Sequence, residues 1–590
     1  MSLYTENDIN FIRINGETKD KFWTDWKSFF KKLGKSSKKN HIIALDGYYG
    51  VDWSVFFDFF NDLKNENIPL KVINIRNIFK EKKFAWKKVE ENLIFDKHFG
   101  RVFKGDIEDF LDTNKLESLK KEIEEFGKNN EGFLFIVGEG AFNKKLEKSY
   151  DFVIYIDLTR EKFLQSLQNN DIWLVDSENL KDSGAADVGL SISAFKFSQY
   201  ILTPIFDKHR RKLLKKMNYY VLLEETPKIM DRKFFEDVNN ELASKPFKLK
   251  PLYIQGPWGG QWIKKIRKLG DDYKVCAWAF EAVTMDMGLL VNVNDILNFE
   301  LPFSTFLAME KEKIMGEKTF KRFKYFFPIR IHYDDSYDGD NMAIQVHPNK
   351  NYVKKNFNEE IGQHEAYYII KRKKDAGVFL GINENINIKE FYEQARKAEV
   401  EKVPLDYKKY VAFHPSKEGD LFLIPAGTVH ALGKNQVCLE IGTSYGYTFH
   451  IYDYLRPDLK GNLREIHLNH AFNSLKTYRD KKWVKKSLIP NPIEIRKYKN
   501  SKELLLGRRR EMIFEVRRLE IDEEWKDNTN DKFHILVLVK GKKAKIFSKK
   551  DKESSVDIDY TRTIIIPANF GEYFIKCRGK ATFVKVLVSE

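Results

Sequence analysis

The stretch Gly419-Asp420-Leu421-Phe422-Leu423-Ile424-Pro425-Ala426-Gly427 combines a short apolar strand with a Pro-Ala-Gly turn. A weaker copy of this pattern, IIIPANFG, occupies residues 564–571. Short strands that end in Gly and Pro turns are typical of jelly-roll β barrels. The two motifs therefore predict two related barrels in the C-terminal part of the chain.

Around these motifs, the 590 residues form three blocks that differ in their pattern of predicted strands and helices. In the first block, strand-like runs at 41–46, 69–75, 132–138 and 152–157 alternate with helical spacing, as at 116–126. This alternation predicts a parallel α/β sheet. Short strands dominate the other two blocks, apart from one helical patch at 388–398. We therefore predict a multidomain α/β plus all-β chain, with an α/β domain at 1–235, a metal-binding barrel at 236–475 and a second barrel at 476–590.

Four residues of the middle block are candidate ligands for a divalent metal: Gln345, His347, Glu365 and His430. Gln345 and His347 are two residues apart on a predicted strand, which sends both side chains to one face. Glu365 lies in a neighbouring strand-like run, and His430 follows the Pro-Ala-Gly-Thr turn. Three or four protein ligands with room for water are typical of a catalytic metal site. A lone histidine at either place would more often be structural, but the four together favour a metal site.

Several motifs of this block resemble the type I phosphomannose isomerases. They are AIQVHPNK at 343–350, HEAYY at 364–368, IPAGTVHA at 424–431, YDYLR at 452–456 and Trp258-Gly259-Gly260. These enzymes are zinc-dependent cupins that interconvert mannose 6-phosphate and fructose 6-phosphate. The resemblance covers residues 250–590. It implies two cupin barrels, one zinc per chain bound by the four candidate ligands, and aldose–ketose isomerisation through an enediolate. Zinc is not unique in this respect, because iron, nickel and cobalt also suit N/O ligands.

The match departs from the family around the substrate. His450 stands where the family has an arginine, Gln363 where it has a lysine, and Gly446 where it has an aspartate, whereas Arg456 keeps a basic residue in place. In one interpretation, His450 moves a proton or stabilises charge, because histidine titrates near neutral pH. In the other, the site binds or senses a sugar phosphate with little or no turnover.

Five further residues complete the predicted site. We predict His450 and Glu440 as catalytic residues, with a structural role as the alternative for each. Arg456, Gln363 and Trp258 are the predicted substrate-binding residues. For Trp258, a place in the hydrophobic core is the equal alternative.

The N-terminal block places GYYGVDWS, residues 47–54, where a phosphate-binding loop would lie, after a strand and before a helix. A working P-loop ends in Gly-Lys-Ser/Thr, so that the lysine reaches the β and γ phosphates. Asp52 and Trp53 replace the Gly-Lys pair. Residues 150–159 weakly resemble a strand of uridine-kinase-type nucleoside kinases. We predict a degenerate P-loop kinase-like domain that has lost phosphoryl transfer, with a live kinase as the competing hypothesis.

Composition narrows the cellular context. The net charge is +16, yet 86 acidic residues are mixed with the 102 basic ones, which is typical of a solvated surface. The nearest approach to a nucleic-acid patch is residues 209–212. The three cysteines form no CxxC pair, and residues 1–8 do not have the pattern of a signal peptide. We predict a cytoplasmic protein whose partner is a small phosphorylated sugar, not nucleic acid or membrane, and leave a homo-oligomer open.

Overall fold

The computed structural model describes residues 4–16, 18, 20–33, 39–65, 69–169, 172–180, 191–444, 446–549 and 555–589. Residues 1–3, at the start of the segment considered for a signal peptide, lie outside this set. The chain separates into two compact units. Residues 11–241 and 291–309 form the α/β unit, and residues 1–10, 242–290 and 310–590 form the β-rich unit.

The first 243 residues alternate between strands and helices. The strands are β1 (Asn10–Ile12), β2 (Phe22–Trp23), β3 (Asn40–Gly47), β4 (Leu70–Asn74), β5 (Gly132–Val137), β6 (Phe152–Asp157), β7 (Tyr219–Leu222) and β8 (Lys228–Asp231). The helices are α1 (Trp26–Leu33), α2 (Val55–Asn65), α3 (Lys82–Ile94), α4 (Thr113–Asn129), α5 (Arg160–Gln168), α6 (Ile192–Phe197), α7 (Thr203–Leu213) and α8 (Arg232–Ala243).

A seven-stranded sheet organises the α/β unit, in the order β2-β8-β7-β6-β3-β5-β4. The strands from β7 to β4 in this order are parallel to one another, while β8 is antiparallel to β7. All eight residues of β3 are buried, as expected for a central parallel strand covered on both faces. The parallel α/β sheet that the sequence predicts is therefore confirmed.

The loop between β3 and α2 is the segment compared above with a phosphate-binding loop. Asp52 Oδ1 accepts hydrogen bonds from the Ser54 N–H, at 2.9 Å, and from Ser54 Oγ, at 2.6 Å, just before α2 begins. Tyr49 is fully buried and stacks on Trp173, with ring centroids 5.6 Å apart. A carboxylate of the chain itself therefore lies at the helix end where a phosphate would need positive potential.

From residue 252 to 452 the chain forms mostly short strands. They are β9 (Leu252–Ile254), β10 (Trp278–Ala282), β11 (Gly288–Val293), β12 (Leu297–Pro302), β13 (Ile329–Asp335), β14 (Ile344–Val346), β15 (Glu365–Arg372), β16 (Gly377–Ile382), β17 (Val411–Pro415), β18 (Leu421–Ile424), β19 (His430–Leu432), β20 (Gln436–Thr443) and β21 (Phe449–Tyr452). The helices here and just beyond are α9 (Trp262–Arg267), α10 (Phe303–Met315), α11 (Glu317–Phe323), α12 (Lys350–Phe357), α13 (Ile388–Glu401), α14 (Tyr407–Tyr410), α15 (Leu468–Ser474) and α16 (Lys481–Ser487).

Two antiparallel sheets of the β-rich unit carry the candidate metal ligands. One has the order β18-β15-β20-β13-β10-β9, and the other has the order β17-β16-β19-β14-β21. Most residues of β13, β15 and β20 are buried. Because side chains alternate between faces along a strand, every second residue of these strands points to the same side of the sheet.

The remaining strands form an eight-stranded antiparallel sheet system. They are β22 (Ile493–Tyr498), β23 (Ser501–Arg508), β24 (Phe514–Asn528), β25 (His534–Lys540), β26 (Lys543–Ser548), β27 (Ser555–Asp559), β28 (Thr563–Ile566) and β29 (Glu572–Val588). Their main order is β22-β23-β24-β29-β25-β28, with β26 paired to both β27 and β29. Aliphatic and aromatic residues such as Leu536, Ile564 and Phe583 form its core.

These observations confirm an α/β part together with β-rich parts. The P-loop-like character of the first part, the two cupin barrels and the boundaries at 235 and 475 stay predictions. Within the described residues, no helix combines the length and the apolar character needed to cross a bilayer.

Candidate metal centre

Three side chains from both sheets meet at one buried point. His347 follows β14, His430 begins β19, and Glu365 begins β15. Their candidate ligand atoms lie within 4.8 Å of one another. Glu365 Oε2 is 3.0 Å from His347 Nε2 and 3.4 Å from His430 Nε2. The structure thus brings together three of the four ligands that the sequence predicts, and the fourth lies beside them.

Gln345 is this fourth residue. It pairs directly with His430 across β14 and β19, and its amide nitrogen lies 3.2 Å from His430 Nε2. A half-turn of the amide places its carbonyl oxygen at the same point. In a tetrahedral site with metal–ligand bonds of about 2.1 Å, neighbouring ligand atoms are about 3.4 Å apart. The observed separations therefore fit a divalent metal.

Backbone hydrogen bonds determine which nitrogen of each histidine can bind a metal. His347 Nδ1 donates to the Tyr447 carbonyl, and His430 Nδ1 donates to the Thr428 carbonyl, both at 2.9 Å. Since a carbonyl only accepts, each Nδ1 carries a proton, and Nε2 is the nitrogen left to bind a metal. Such backbone contacts commonly orient metal-binding histidines.

The two carboxylate oxygens of Glu365 have different surroundings. Its Oε1 accepts hydrogen bonds from Arg330 Nη2 and from Gln363 Nε2, both at 2.7 Å. Among the described residues, Oε2 has no hydrogen-bond donor although it is buried. Burial opposes the negative charge, but His347, His430 and Arg330 hold the pKa of this carboxyl well below its ordinary value. A buried, charged oxygen at the point where two imidazole Nε2 atoms also meet is suited to a cation.

Gln363, a predicted substrate-binding residue, contacts the candidate ligands themselves. Besides its bond to Glu365, its Nε2 lies 3.4 Å from His347 Nε2, and the side chain is fully buried. Its Oε1 has no hydrogen-bond partner among the described residues. The lysine of the family is thus replaced by a neutral amide at the edge of the ligand group.

Glu440, the predicted second catalytic residue, belongs to a buried charge network that includes residues missed by sequence reasoning. Arg330 Nη2 donates to Glu440 Oε1 at 2.9 Å, and His332 Nε2 lies 3.3 Å from the same oxygen and 3.4 Å from Asp334 Oδ1. The alternation Arg330, His332, Asp334 along β13 was a signal that the sequence contained, since period two places all three on one face.

The protonation of this network is unusual. Burial disfavours a charge on His332, but Glu440 and Asp334 outweigh it and raise the pKa of His332 to about 10. Burial and the neighbouring Glu440 raise the pKa of Asp334 to about 8. Burial and Glu365 oppose ionisation of Glu440, yet His332 and Arg330 lower its pKa. At neutral pH, His332 is therefore charged and Glu440 is ionised, whereas burial and the neighbouring Glu440 favour the neutral form of Asp334.

His450 is buried beside the ligand group and faces Gln345 across β21 and β14. Its Nδ1 donates to the Glu465 carbonyl at 3.0 Å. Burial, followed by the charges of Arg464 and His467, lowers the pKa of His450 well below its ordinary value. His450 is therefore neutral near pH 7 and does not supply the positive charge of the arginine that it replaces.

Arg456 and Trp258 make other contacts. Arg456 donates hydrogen bonds to Asp340, to Asp453 and to the Asn341 carbonyl, none of which is a candidate metal ligand. Trp258 is buried and packs edge-on against Trp278 at 4.9 Å. This packing fits a core residue, and the substrate-binding roles of both residues stay predictions. Gly446 is exposed, with nothing near its α-carbon that a side chain would meet.

Two antiparallel sheets that gather two imidazoles and a carboxylate define a β-rich protein with a candidate metal centre. Mannose-6-phosphate isomerase ManA of Bacillus subtilis (strain 168) is 30% identical over 233 residues, which are 38% of this chain and 67% of that protein. The mannose-6-phosphate isomerase of Streptococcus mutans serotype c is 27% identical over 237 residues, 38% of this chain and 68% of that protein. The chain belongs to the mannose-6-phosphate isomerase family.

Other comparisons concern the fold and the N-terminal part. A crystal structure of the Bacillus subtilis mannose 6-phosphate isomerase matches with 20% identity and a TM-score of 0.48, over 58% of this chain and 99% of that one. A zinc-bound mannose 6-phosphate isomerase matches with 13% identity and a TM-score of 0.46, over 59% and 100%. Residues 25–244 match a domain of unknown function, DUF8485.

Proposed function

We propose that this protein is a zinc-dependent isomerase that interconverts mannose 6-phosphate and fructose 6-phosphate through an enediolate. The proposal is based on one observation. Among the described residues, Glu365 Oε2 has no hydrogen-bond donor, and it lies close to the Nε2 atoms of His347 and His430. Gln345, His347, Glu365 and His430 would hold one zinc ion per chain. When bound, zinc supplies a Lewis acid that polarises the sugar carbonyl and stabilises negative charge on oxygen.

The residues of the chain would then move the proton between C1 and C2. Glu440 is ionised at neutral pH and so is able to accept a proton. His450 is the other candidate base, because its Nδ1 is bonded to Glu465 and its Nε2 is therefore the accepting nitrogen. Arg456 and Trp258 stay the proposed contacts to the sugar phosphate, together with Gln363.

A coupled assay tests this function. Zinc-loaded protein should convert mannose 6-phosphate, lose activity in EDTA and regain it when zinc is restored. His347→Ala should remove both zinc binding and activity, whereas His98→Ala, in the α/β unit, serves as the control and should retain them. Absence of turnover by zinc-loaded protein on any hexose phosphate would refute the proposal.

A second candidate function is a metal-containing module that binds or senses a sugar phosphate without fast turnover. Its motivation is the neutral Gln363 and His450 at positions where the family has cations, and Gly446 in place of an aspartate. Calorimetry that detects hexose phosphate binding without catalysis, and turnover regained by His450→Arg, would favour this candidate. Fast turnover by the unmodified protein would exclude it.

For the N-terminal part, we propose a degenerate kinase-like domain that serves regulation, oligomerisation or phospho-ligand binding. The Asp52 carboxylate at the start of α2 supports the loss of triphosphate binding. Within the short basic run noted above, His209 and Arg210 are buried in α7. A cytoplasmic location and a phosphorylated sugar as the partner belong to the same proposal.

A further inference from the structure

Arg330 contacts both carboxylates of the proposed active site. Its Nη2 donates to Glu365 Oε1 at 2.7 Å and to Glu440 Oε1 at 2.9 Å. The guanidinium is largely buried, with 16% of the side chain exposed. Charge-assisted contacts of this kind are stronger than neutral hydrogen bonds, and a buried one positions its partner firmly.

Arg330 reaches Glu365 by crossing an intervening strand at a glycine. Arg330 on β13 pairs with Gly442 on β20, and Gly442 pairs in turn with Glu365 on β15. A Cβ atom at position 442 would lie 2.8 Å from Arg330 Nε and 3.4 Å from Glu440 Oε1. Gly442 does not adopt a positive φ, so its backbone conformation does not require glycine. The physical reason for glycine at this position is the space taken by the arginine.

This arrangement determines which oxygen of Glu365 faces the metal position. Arg330 and Gln363 together occupy Oε1, and Oε2 is left toward the two histidines. The arginine also ties Glu440, the proposed proton carrier, to the proposed ligand Glu365 through one nitrogen atom. Because Gln363 and His450 are neutral, the Arg330 guanidinium is a source of positive charge beside the candidate metal ligands.

A second metal site at His332, Asp334 and Glu440 is a competing interpretation of the same region, since their ligand atoms also cluster within 4.8 Å. The contacts argue against it. Glu440 Oε1 already accepts from Arg330 and faces His332, and a metal bound to this oxygen would adjoin the guanidinium charge. The cluster is better explained as an ion network around Arg330.

We propose that Arg330, admitted by Gly442, is a positioning residue that orients Glu365 as a single-oxygen ligand and holds Glu440 beside it. The inference rests on the proposed metal site. Position 330 lies outside every sequence motif that resembles the family. The inference therefore gives β13 and β20 a role that could not be read from those motifs.

Zinc affinity tests the inference independently of turnover. Arg330→Gln and Gly442→Ala should each weaken zinc binding about 10- to 100-fold, the usual effect of losing a residue that orients a metal ligand. Arg330→Lys keeps the charge without the planar fork and should lose less. Arg372→Gln on β15 and Gly270→Ala, where a Cβ meets nothing within 4 Å, are the matched controls and should bind like the unmodified protein.

Zinc affinity would be measured at pH 7 by competition with a chromophoric chelator, beside the melting temperature of metal-free protein. Cobalt-loaded Arg330→Gln should also show a shifted visible spectrum, which a purely structural role would not produce. Equal zinc affinities in all variants would overturn the inference, even if the variants melted earlier. Failure of the unmodified protein to bind zinc would overturn the inference and the proposed function together.

Discussion

Alkaline pH should weaken the β-rich unit through His332. In the folded protein its pKa is raised to about 10, whereas an unfolded histidine titrates near its ordinary value of about 6.5. A group with a raised folded pKa stabilises the fold fully below its unfolded pKa, and this stabilisation is lost as the pH rises toward the folded pKa. The pH window of the effect therefore runs from about 6.5 to about 10.

The magnitude follows from proton linkage. Between pH 7 and 9 the folded protein retains one proton on His332 that the unfolded chain has released. Each pH unit then costs slightly more than about 1 kcal/mol, so His332 alone accounts for roughly 2–3 kcal/mol of unfolding free energy between pH 7 and 9. Asp334, with its pKa raised to about 8, adds an effect of the same sign in the lower part of this range.

The assay is denaturant unfolding of EDTA-treated protein at pH 7 and pH 9, compared with His332→Gln. Glutamine keeps a polar side chain but cannot carry the proton, so the variant should show a clearly smaller loss between the two pH values. His98→Gln, outside the network, should behave like the unmodified protein. If His332→Gln and the unmodified protein lost the same free energy, the charged state of His332 would be refuted.

Three further outcomes are expected. The full chain should not bind ATP in equilibrium dialysis, because the Asp52 carboxylate occupies the start of α2. Ser54→Ala should therefore leave the result unchanged. Saturable ATP binding that Ser54→Ala abolishes would contradict this prediction. Lys585→Met should destabilise the C-terminal sheet by about 3–5 kcal/mol in urea unfolding, because Lys585 is buried against two carboxylates. The control Lys580→Met, at an exposed position, should change the free energy of unfolding by no more than about 0.5 kcal/mol. Equal effects of the two substitutions would exclude a buried ion network. Because burial lowers the pKa of His450, activity between pH 6 and 8 should show no ionisation that His450→Gln removes, and an inflection lost in that variant would show that His450 titrates there.

Much of the fold was predictable from local patterns. The apolar runs at 41–46 and 152–157 became β3 and β6, and the helical patch at 388–398 became α13, because periodicity and apolar length act over a few residues. Individual contacts were less accessible. Trp258 was equally consistent with a sugar pocket and with the core, and its packing on Trp278 depends on a strand that lies 20 residues further along the chain.

The candidate ligands illustrate what the sequence by itself determined. Gln345, His347, Glu365 and His430 lie in short motifs, and strand period and turn chemistry already direct them toward one point. The tertiary structure alone decided the charge around them. Arg330 meets Glu365 and Glu440 across separations of 35 and 110 residues, through a gap that Gly442 leaves in the strand between them. Such contacts depend on strand order and register, which arise when distant segments pair, and no local pattern encodes them.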